Sequence, residues 1–271
     1  NKRYLKEIDK ALSKYPRNLL IQQIKKDLQS VSDTSHVNQF NCNKITHVIA
    51  EIFYITANAL SSQSLYANSN FYLNLAKFLN EDFKSYEILY AENFYMTSNY
   101  KLSINLYKKI SNYSKVYNWY ASKQISSILL KEKRDKEVKE KRDKEAINFL
   151  TKSFDQLENP NIYEIYDYAN FLKNNEKFKK SIKYYSVVLN RIEKKHDLYP
   201  KAADGRGIAY ERVGEWEKAE KDFLNSLKSN PDQAYVLNYL AYSWLEKGIK
   251  IEESLKMLEK ANNLKKNDGY I

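Results

Sequence analysis

The sequence has very few residues that interrupt helices or form covalent cross-links. Five glycines and four prolines occur in 271 residues, too few for an architecture built from strands and tight turns. Cys42 is the single cysteine, which excludes an internal disulfide and a cysteine-based zinc site. No run of 18 apolar residues is present, so no segment is predicted to span a membrane. These absences predict an all-α chain.

Patterns that carry catalysis are also missing. His36, Cys42 and His47 lie close together, but their spacing matches no zinc site and no glycine-rich, oxyanion-forming turn lies beside them. The glycines are too scattered to form a phosphate-binding loop. We therefore predict that the chain is not an enzyme and that it holds no metal or cofactor.

What the sequence does contain is a recurring frame, whose best copy runs from Lys201 to Asp232. Gly207 lies within a helical pattern, where glycine costs ~1 kcal/mol relative to alanine, which indicates the close approach of a second helix. Proline cannot continue a helix interior, so Pro231 is predicted to separate one helix pair from the next. The frame consists of Gly207, Tyr210, Gly214, Ala219, Phe223 and Pro231.

Weaker copies of this frame recur at steps of roughly 34 residues, which predicts an array of helix pairs. In the third copy an octamer is duplicated, KEKRDKEV being followed by KEKRDKEA at 131–146. This insert is predicted either to lengthen the two helices or to protrude as a charged hairpin, and to act as a solvated spacer or a docking element. The small residues of the first helices are Ala57, Ala91, Ser126, Ala169, Gly207 and Ala241.

The frame resembles that of the tetratricopeptide repeat family, although Ala203 and Arg206 replace the usual Trp and Leu. The resemblance implies a right-handed superhelical α-solenoid of helix-turn-helix repeats. It also implies a protein–protein interaction scaffold that performs no catalysis.

Three regions are predicted along the chain. Residues 1–30 carry two apolar-periodic stretches separated at Pro16, which predict a helix pair that could be a degenerate repeat. Residues 31–43 are polar and lack periodicity, so a loop is expected there. Residues 44–271 hold about six repeats. Because Asn267 to Ile271 reads as the opening of another repeat, we expect the chain to be part of a longer protein.

In tetratricopeptide proteins the first helix of each pair lines a concave groove, and the resemblance implies which residues do so here. Tyrosine supplies flat contact area with a polar tip, and asparagine can pair with both groups of a peptide bond. Lys173 and Lys201 could hold a carboxylate. With 24 tyrosines in the chain, some must fall at these positions by composition alone. The predicted partner-binding residues are Tyr54, Asn58, Tyr95, Tyr163, Tyr166, Asn170, Lys173, Lys201, Tyr235, Asn238 and Tyr242.

Net charge leaves a second class of function open. The formal charge is +11, so a basic solenoid that binds RNA or another polyanion is the alternative to a protein-binding scaffold. Lysine and glutamate interleave throughout, however, and no nucleic-acid motif is present. We therefore expect a protein or peptide partner; the sequence does not predict an oligomeric state.

Two stretches, Ala50 to Phe83 and Pro231 to Ile271, resemble a bacterial family of long tetratricopeptide proteins. One subset of that family resembles the outer-membrane lipoprotein adaptor of a periplasmic carboxyl-terminal processing protease. The resemblance implies a cell-envelope scaffold for a protease and its substrates. No signal segment or lipobox appears in this numbering, so a cytoplasmic location is left open.

Overall fold

The computed structural model describes residues 2–29, 40–131 and 136–271, and all regular structure within them is helical. The chain forms two compact units, residues 1–158 and 159–271. The described helices of the first unit are α1 (Lys2–Lys14), α2 (Leu19–Gln29), α3 (Ile45–Ser62), α4 (Tyr66–Leu79), α5 (Ser85–Met96), α6 (Tyr100–Ser111), α7 (Lys115–Lys131) and α8 (Lys136–Asp155).

The second unit continues the same alternation of helices and short turns. Consecutive helices pack against each other, and α9 also packs beside α11. The predicted all-α array of helix pairs is confirmed. Of the described helices, none combines the length and the apolar character that crossing a bilayer requires. The helices are α9 (Ile162–Asn174), α10 (Phe178–Arg191), α11 (Leu198–Arg212), α12 (Trp216–Ser229), α13 (Ala234–Glu246) and α14 (Ile251–Leu264).

Small residues lie where the two helices of a pair approach most closely. Ala57, Ala91, Ala169 and Ala241 are fully buried on the first helices of their pairs. On α11 this position is Gly207, where an added Cβ would lie 2.7 Å from Cε1 of Phe223 on α12. The glycine of the frame is therefore a packing residue, because the Phe223 ring takes the space that a side chain would need.

The turns inside five of the described pairs share one backbone conformation. In each, a residue adopts positive φ and the next residue donates its N–H to a carbonyl five positions earlier, at 2.8–3.0 Å. This geometry is the Schellman ending of a helix. The positive-φ residues are Ser64, Ser98, Glu176, Gly214 and Gly248. Only the last two are glycines, so three of these turns have no glycine to mark them in the sequence.

The N-terminal helix pair contacts helices far along the first unit. Leu20 of α2 packs against the buried cluster of α3 to α5, and Leu19 packs against the cluster of α5 to α7. The Gln23 side chain is hydrogen-bonded to Ser114, which precedes α7. A small cavity of about 80 Å³ lies between α2 and α7 and is lined partly by Tyr117. Half-buried leucines and the polar contact of Gln23 thus help to hold the pair in the first unit.

Two predicted segments fall wholly or partly outside the described residues. The loop expected at 31–43 is described only from Phe40 onward, where Lys44 donates its N–H to the Asn41 carbonyl at 3.0 Å. The charged duplication at 131–146 includes residues 132–135, which are not described. Helix α7 ends at Lys131 and α8 begins at Lys136, so most of the duplication that is described is helical.

Candidate partner-binding groove

The predicted partner-binding residues all lie on first helices, α3 and α5 in the first unit and α9, α11 and α13 in the second. We call their common side the first-helix face. First helices of one unit contact each other, α3 with α5 and α9 with α11, and the first-helix face of each unit is described by itself. Some of the predicted residues are packed against other side chains, and others are exposed to solvent.

Tyr54 on α3 is largely a packing residue. Its ring lies edge-on to Phe83 at 5.4 Å and near Tyr86 at 5.6 Å. Burial, followed by the charges of Glu92 and Glu51, raises the pKa of Tyr54 to about 12. Asn58, one turn further along α3, is exposed. At this end of the first unit, the asparagine is therefore the more accessible of the two predicted residues.

Tyr95 on α5 pairs with a cation of the same chain. Lys131 Nζ lies 3.1 Å from the Tyr95 hydroxyl and 4.9 Å from the centre of its ring. The centre of the Tyr95 ring also lies 5.9 Å from that of Tyr100. An ammonium is attracted to the face of an aromatic ring, and Tyr95 binds the ammonium of Lys131 in this way.

A carboxylate lies between these tyrosines on the first-helix face. Glu92 of α5 is half-buried, and its Oε1 accepts a hydrogen bond from the Tyr120 hydroxyl of α7 at 2.7 Å. Burial raises the pKa of Glu92, and the bond from Tyr120 opposes that shift. Tyr107 lies edge-on to Tyr120 at 6.0 Å. Glu92 is therefore a half-buried acid that is hydrogen-bonded to Tyr120, and Tyr107 lies beside Tyr120.

In the second unit, a tyrosine from a second helix completes the face. The Tyr185 hydroxyl of α10 donates to Oδ1 of Asn170, and its ring lies edge-on to Tyr166 at 6.1 Å. The ring also lies against Gly205 of α11, where an added Cβ would be 2.5 Å from its Cζ atom. Tyr163, near the start of α9, lies 6.2 Å from the His196 ring. Tyr163, Tyr166 and Asn170 are thus half-buried, and Tyr166 and Asn170 both contact Tyr185.

Asp204 of α11 is a second half-buried carboxylate on this face. Burial raises its pKa to about 6, and the charge of Lys173 on α9 partly opposes the shift. Its charge in turn contributes to the raised pKa values of Tyr185 and Tyr239. Lys201, one turn before Asp204, is exposed. Of the two lysines predicted to hold a carboxylate, Lys173 therefore lies near an acid of the chain itself.

The face of α13 contacts an irregular segment of the chain, residues 265–271. The Tyr235 hydroxyl donates to Oδ2 of Asp268 at 2.7 Å, and Lys265 Nζ lies 2.7 Å from that hydroxyl. Asn238 Nδ2 donates to the backbone carbonyl of Tyr270 at 2.9 Å. Among the described residues nothing donates to the buried Oδ1 of Asn238. Tyr242, one turn further, is exposed.

Comparison with known proteins finds similar folds only among solved structures. No protein-family model and no curated protein matches the chain. Among solved structures, it is similar to one in the APC/C hetero-tetramer Cut9–Hcn1, with a TM-score of 0.57, 12% identity, and coverage of 98% of this chain and 50% of that one. The chain has the tetratricopeptide-repeat fold.

Two further solved structures match with lower scores. YrrB, described as a tetratricopeptide protein with an unusual peptide-binding site, has a TM-score of 0.44 at 16% identity, covering 68% of this chain and 88% of its own. A structure of MamA has a TM-score of 0.47 at 16% identity, covering 67% and 95%. At these identities the likeness concerns the tetratricopeptide-repeat fold alone.

The histidine and cysteine residues near α3 have ordinary structural surroundings. His47 is buried, and its Nδ1 accepts the N–H of Asn41 at 3.2 Å, while its ring lies 6.3 Å from Phe40. Cys42 is exposed, and His36 lies outside the described residues. No group of three metal-binding side chains occurs in the part of the chain that the structure describes.

The raised pKa of Asp204 predicts how stability depends on pH. Because its pKa is about 6 in the folded protein, against an ordinary aspartate value of 3.8, the folded state binds a proton more tightly than the unfolded state. Ionised Asp204 is therefore destabilising above that range and neutral in effect below it. We expect Asp204→Asn to raise the free energy of unfolding by about 1–2 kcal/mol near pH 7.5, after discounting for solvent screening.

The measurement is urea denaturation of the parent chain and Asp204→Asn at about pH 4 and about pH 7.5. The advantage of the variant should shrink at the lower pH, where the carboxyl of the folded protein is protonated and only the unfolded state remains partly ionised. Asp232→Asn, at an exposed surface pair with Lys260, is the control and should show no such gain. An equal gain for Asp204→Asn at both pH values would contradict the burial argument.

Proposed function

We propose that this chain is a non-enzymatic interaction scaffold whose first-helix face holds an irregular or extended segment of a partner protein. One observation carries this proposal. Asn238 donates its side-chain amide to the backbone carbonyl of Tyr270, in a segment without regular structure. A first helix of this chain can therefore hold non-helical main chain through an asparagine.

The unused hydrogen-bonding capacity of Asn238 supports the same function. Its Oδ1 is buried and has no donor among the described residues, so a backbone N–H placed beside the bound carbonyl would satisfy it. Asn58 occupies the corresponding side of α3 in the first unit and is exposed. Asparagines at such positions give main-chain recognition that does not depend on the partner's side chains.

Tyrosines supply the contact area beside these asparagines. Tyr235 and Tyr242 on α13 are 50% and 52% exposed, which leaves about half of each side chain available to a partner. Tyrosine is enriched at binding hot spots because it brings a large apolar ring and a polar tip at a small entropic cost. A face of tyrosine and asparagine therefore suits a peptide segment better than a small metabolite.

A finer version of the proposal is an adaptor for a protease of the bacterial cell envelope. It rests on the resemblance of Ala50 to Phe83 and Pro231 to Ile271 to that family of long tetratricopeptide proteins. In this version the protease, or a substrate bound for cleavage, supplies the segment held on the first-helix face. Recovery of a protease as the captured partner would support it, and recovery of unrelated proteins alone would contradict it.

Alanine substitutions on the face test the scaffold proposal. The chain is used to capture partners, which are identified by mass spectrometry, and the affinity of one purified partner is then measured. We expect Tyr166→Ala and Asn238→Ala each to weaken that affinity about tenfold, as loss of a central contact does. Leu224→Ala, at an exposed position of the second helix α12, is the control and should bind as the parent does.

Two results would contradict the proposal. One is unchanged affinity in both face variants together with weaker binding by Leu224→Ala, which would place the interface on the second helices. The other is binding of RNA that weakens steeply between low and moderate salt and is unaffected by the face variants. That result would indicate that the basic chain binds a polyanion.

A further inference from the structure

Helix α2 does not follow the stacking order of the other helices. In a solenoid each repeat contacts only its neighbours along the chain. Helix α2, by contrast, contacts α7, five helices further on. The Gln23 side chain is hydrogen-bonded to Ser114, which precedes α7, and Leu19 packs against the buried cluster of α5 to α7. Helix α2 therefore lies across the array of repeats and is not one of its layers.

The surface beneath α2 is formed by first helices and by the residues that lead into them. Leu20 packs against the buried cluster of α3 to α5, and so does Tyr54, one of the predicted partner-binding residues. On the side of the array, the cavity next to α2 is lined by Lys84, which precedes α5, and by Tyr113 and Tyr117, on either side of the start of α7. Helix α2 thus lies against the elements that are proposed to bind the partner.

The side chains that α2 directs at this cavity have the spacing of one helix face. Leu20, Gln23, Ile24 and Asp27 line the cavity and stand at positions i, i+3, i+4 and i+7. An amphipathic helix that lays such a face into a groove is a recurring mode of protein recognition. Asp27 lines the same cavity as Lys84 of the array, so the two sides also differ in charge.

The contact of α2 with the array is shallow. No residue from 3 to 29 is buried, whereas α7 buries residues along its whole length. The buried members of the two clusters that Leu19 and Leu20 touch all belong to residues 50–128, and about 80 Å³ of empty space remains beside Tyr117. Elements with few buried apolar contacts open locally at a low free-energy cost. Helix α2 can therefore leave while the array keeps its own core.

We propose that the first unit has a helix-binding site at the starts of α5 and α7, which α2 occupies in its own chain. A partner helix with the apolar and polar pattern of α2 takes the site by displacing α2. This inference rests on the proposed function, and adds to it the form of the partner segment and a control on its access. Because α2 is tethered beside the site at a high effective concentration, it lowers the affinity for the partner.

A synthetic copy of α2 is the probe that tests the site. A fluorescein-labelled peptide of residues 16–29 is titrated with the whole parent chain and with the double variant Leu19→Asp and Leu20→Asp, and its fluorescence anisotropy is measured. Aspartate cannot pack against the two apolar clusters, so the α2 of the variant leaves the site open. We expect the variant to bind the peptide at least about tenfold more tightly than the parent does.

Three controls assign the binding to the proposed site. Lys26→Asp, at an exposed position of α2, should bind the peptide as weakly as the parent does. A peptide that itself carries Leu19→Asp and Leu20→Asp should not bind the double variant. Tyr117→Ala, added to the double variant, should weaken peptide binding about tenfold, because it removes a ring from the wall of the cavity.

Hydrogen exchange of the parent chain tests the same inference without any substitution, and decides it if the double variant does not fold. The backbone amides of α2 should exchange at least about tenfold faster than those of α7, because α2 opens while the array stays folded. Equal protection of α2 and α7 would overturn the inference, since α2 would then leave only when the whole unit unfolds.

Two peptide results would also overturn it. Equal binding by the parent and the double variant would show that α2 does not compete for the site of the probe. Absence of binding by both would show that the surface does not take a helix in exchange for α2. The scaffold proposal would survive either result, because it is judged by the captured partner and by the Tyr166 and Asn238 variants, which lie in the second unit.

Discussion

Replacement of Arg206 by alanine is expected to lower the free energy of unfolding of the second unit by about 3–5 kcal/mol, because it leaves a buried aspartate without its partner. Arg206 Nε and Nη2 donate to the two oxygens of Asp222 at 2.6 and 2.8 Å, and Nη1 donates to Ser186 at 2.9 Å. The Asp222 side chain is only 5% exposed. One guanidinium therefore joins α10, α11 and α12.

Urea denaturation measures this loss, and Arg212→Ala is the matched control. Arg212 lies on the same helix and pairs with Glu211 at 3.5 Å, with its side chain 56% exposed. Exposed pairs contribute about 0–1 kcal/mol, so the control should have little effect. A loss for Arg206→Ala as small as the control's would contradict the account of this pair.

A double variant separates the charge from the packing. Most tetratricopeptide frames have leucine where this chain has Arg206, and leucine at both 206 and 222 would remove the buried charge altogether. Exchanging a buried ion pair for apolar residues is often neutral or stabilising. We expect Arg206→Leu with Asp222→Leu to recover most of the stability that Arg206→Ala loses.

Phe223→Ala is expected to cost about 3–5 kcal/mol of unfolding free energy in the second unit, the usual range for a fully buried aromatic side chain. The ring is fully buried in the cluster of α12 and α13, edge-on to Tyr239 at 5.4 Å. Its removal leaves a cavity beside Gly207 that the rigid helix pair cannot close. Leu224→Ala, at the next and exposed position, should cost far less.

Phe223 also explains why the frame requires glycine. Gly207→Ala gains ~1 kcal/mol of helix propensity, but its Cβ would lie 2.7 Å from the Phe223 ring, and overpacking of this kind costs about 1–3 kcal/mol. We expect the single variant to destabilise the protein and the same change in a Phe223→Ala background to stabilise it. Additive effects in this double-mutant cycle would contradict the steric explanation.

The packing core was largely predictable from the sequence, because it depends on residue size at a fixed spacing. Gly207, Ala219 and Phe223 occupy the helix crossing that their spacing indicates. The turns were less visible: Gly214 marks one, but Ser64 and Glu176 adopt the same positive φ without glycine. Their hydrogen bonds and the packed helices on either side hold a conformation that the residues themselves disfavour.

The sequence predicted which residues lie on the first-helix face, but not which of them are buried or what they contact. Glu92 and Asp204 fall on the first-helix face in the sequence, yet a carboxylate at helical spacing is most simply a solvated residue. Their burial depends on tyrosines from other helices, such as Tyr120 and Tyr185, which no local pattern brings together. The contact of α2 with α7 has the same origin, because it joins segments that are distant in the sequence.

The central claim is that the first-helix face holds the partner, and site-specific photo-cross-linking tests it most directly. Benzoylphenylalanine is placed at Tyr166 or Tyr242 on this face, or at Leu224 on a second helix, and each chain is irradiated with the captured partner. Cross-links from positions 166 and 242, and none from 224, are the predicted result. Cross-linking from 224 with none from 166 and 242 would contradict the claim.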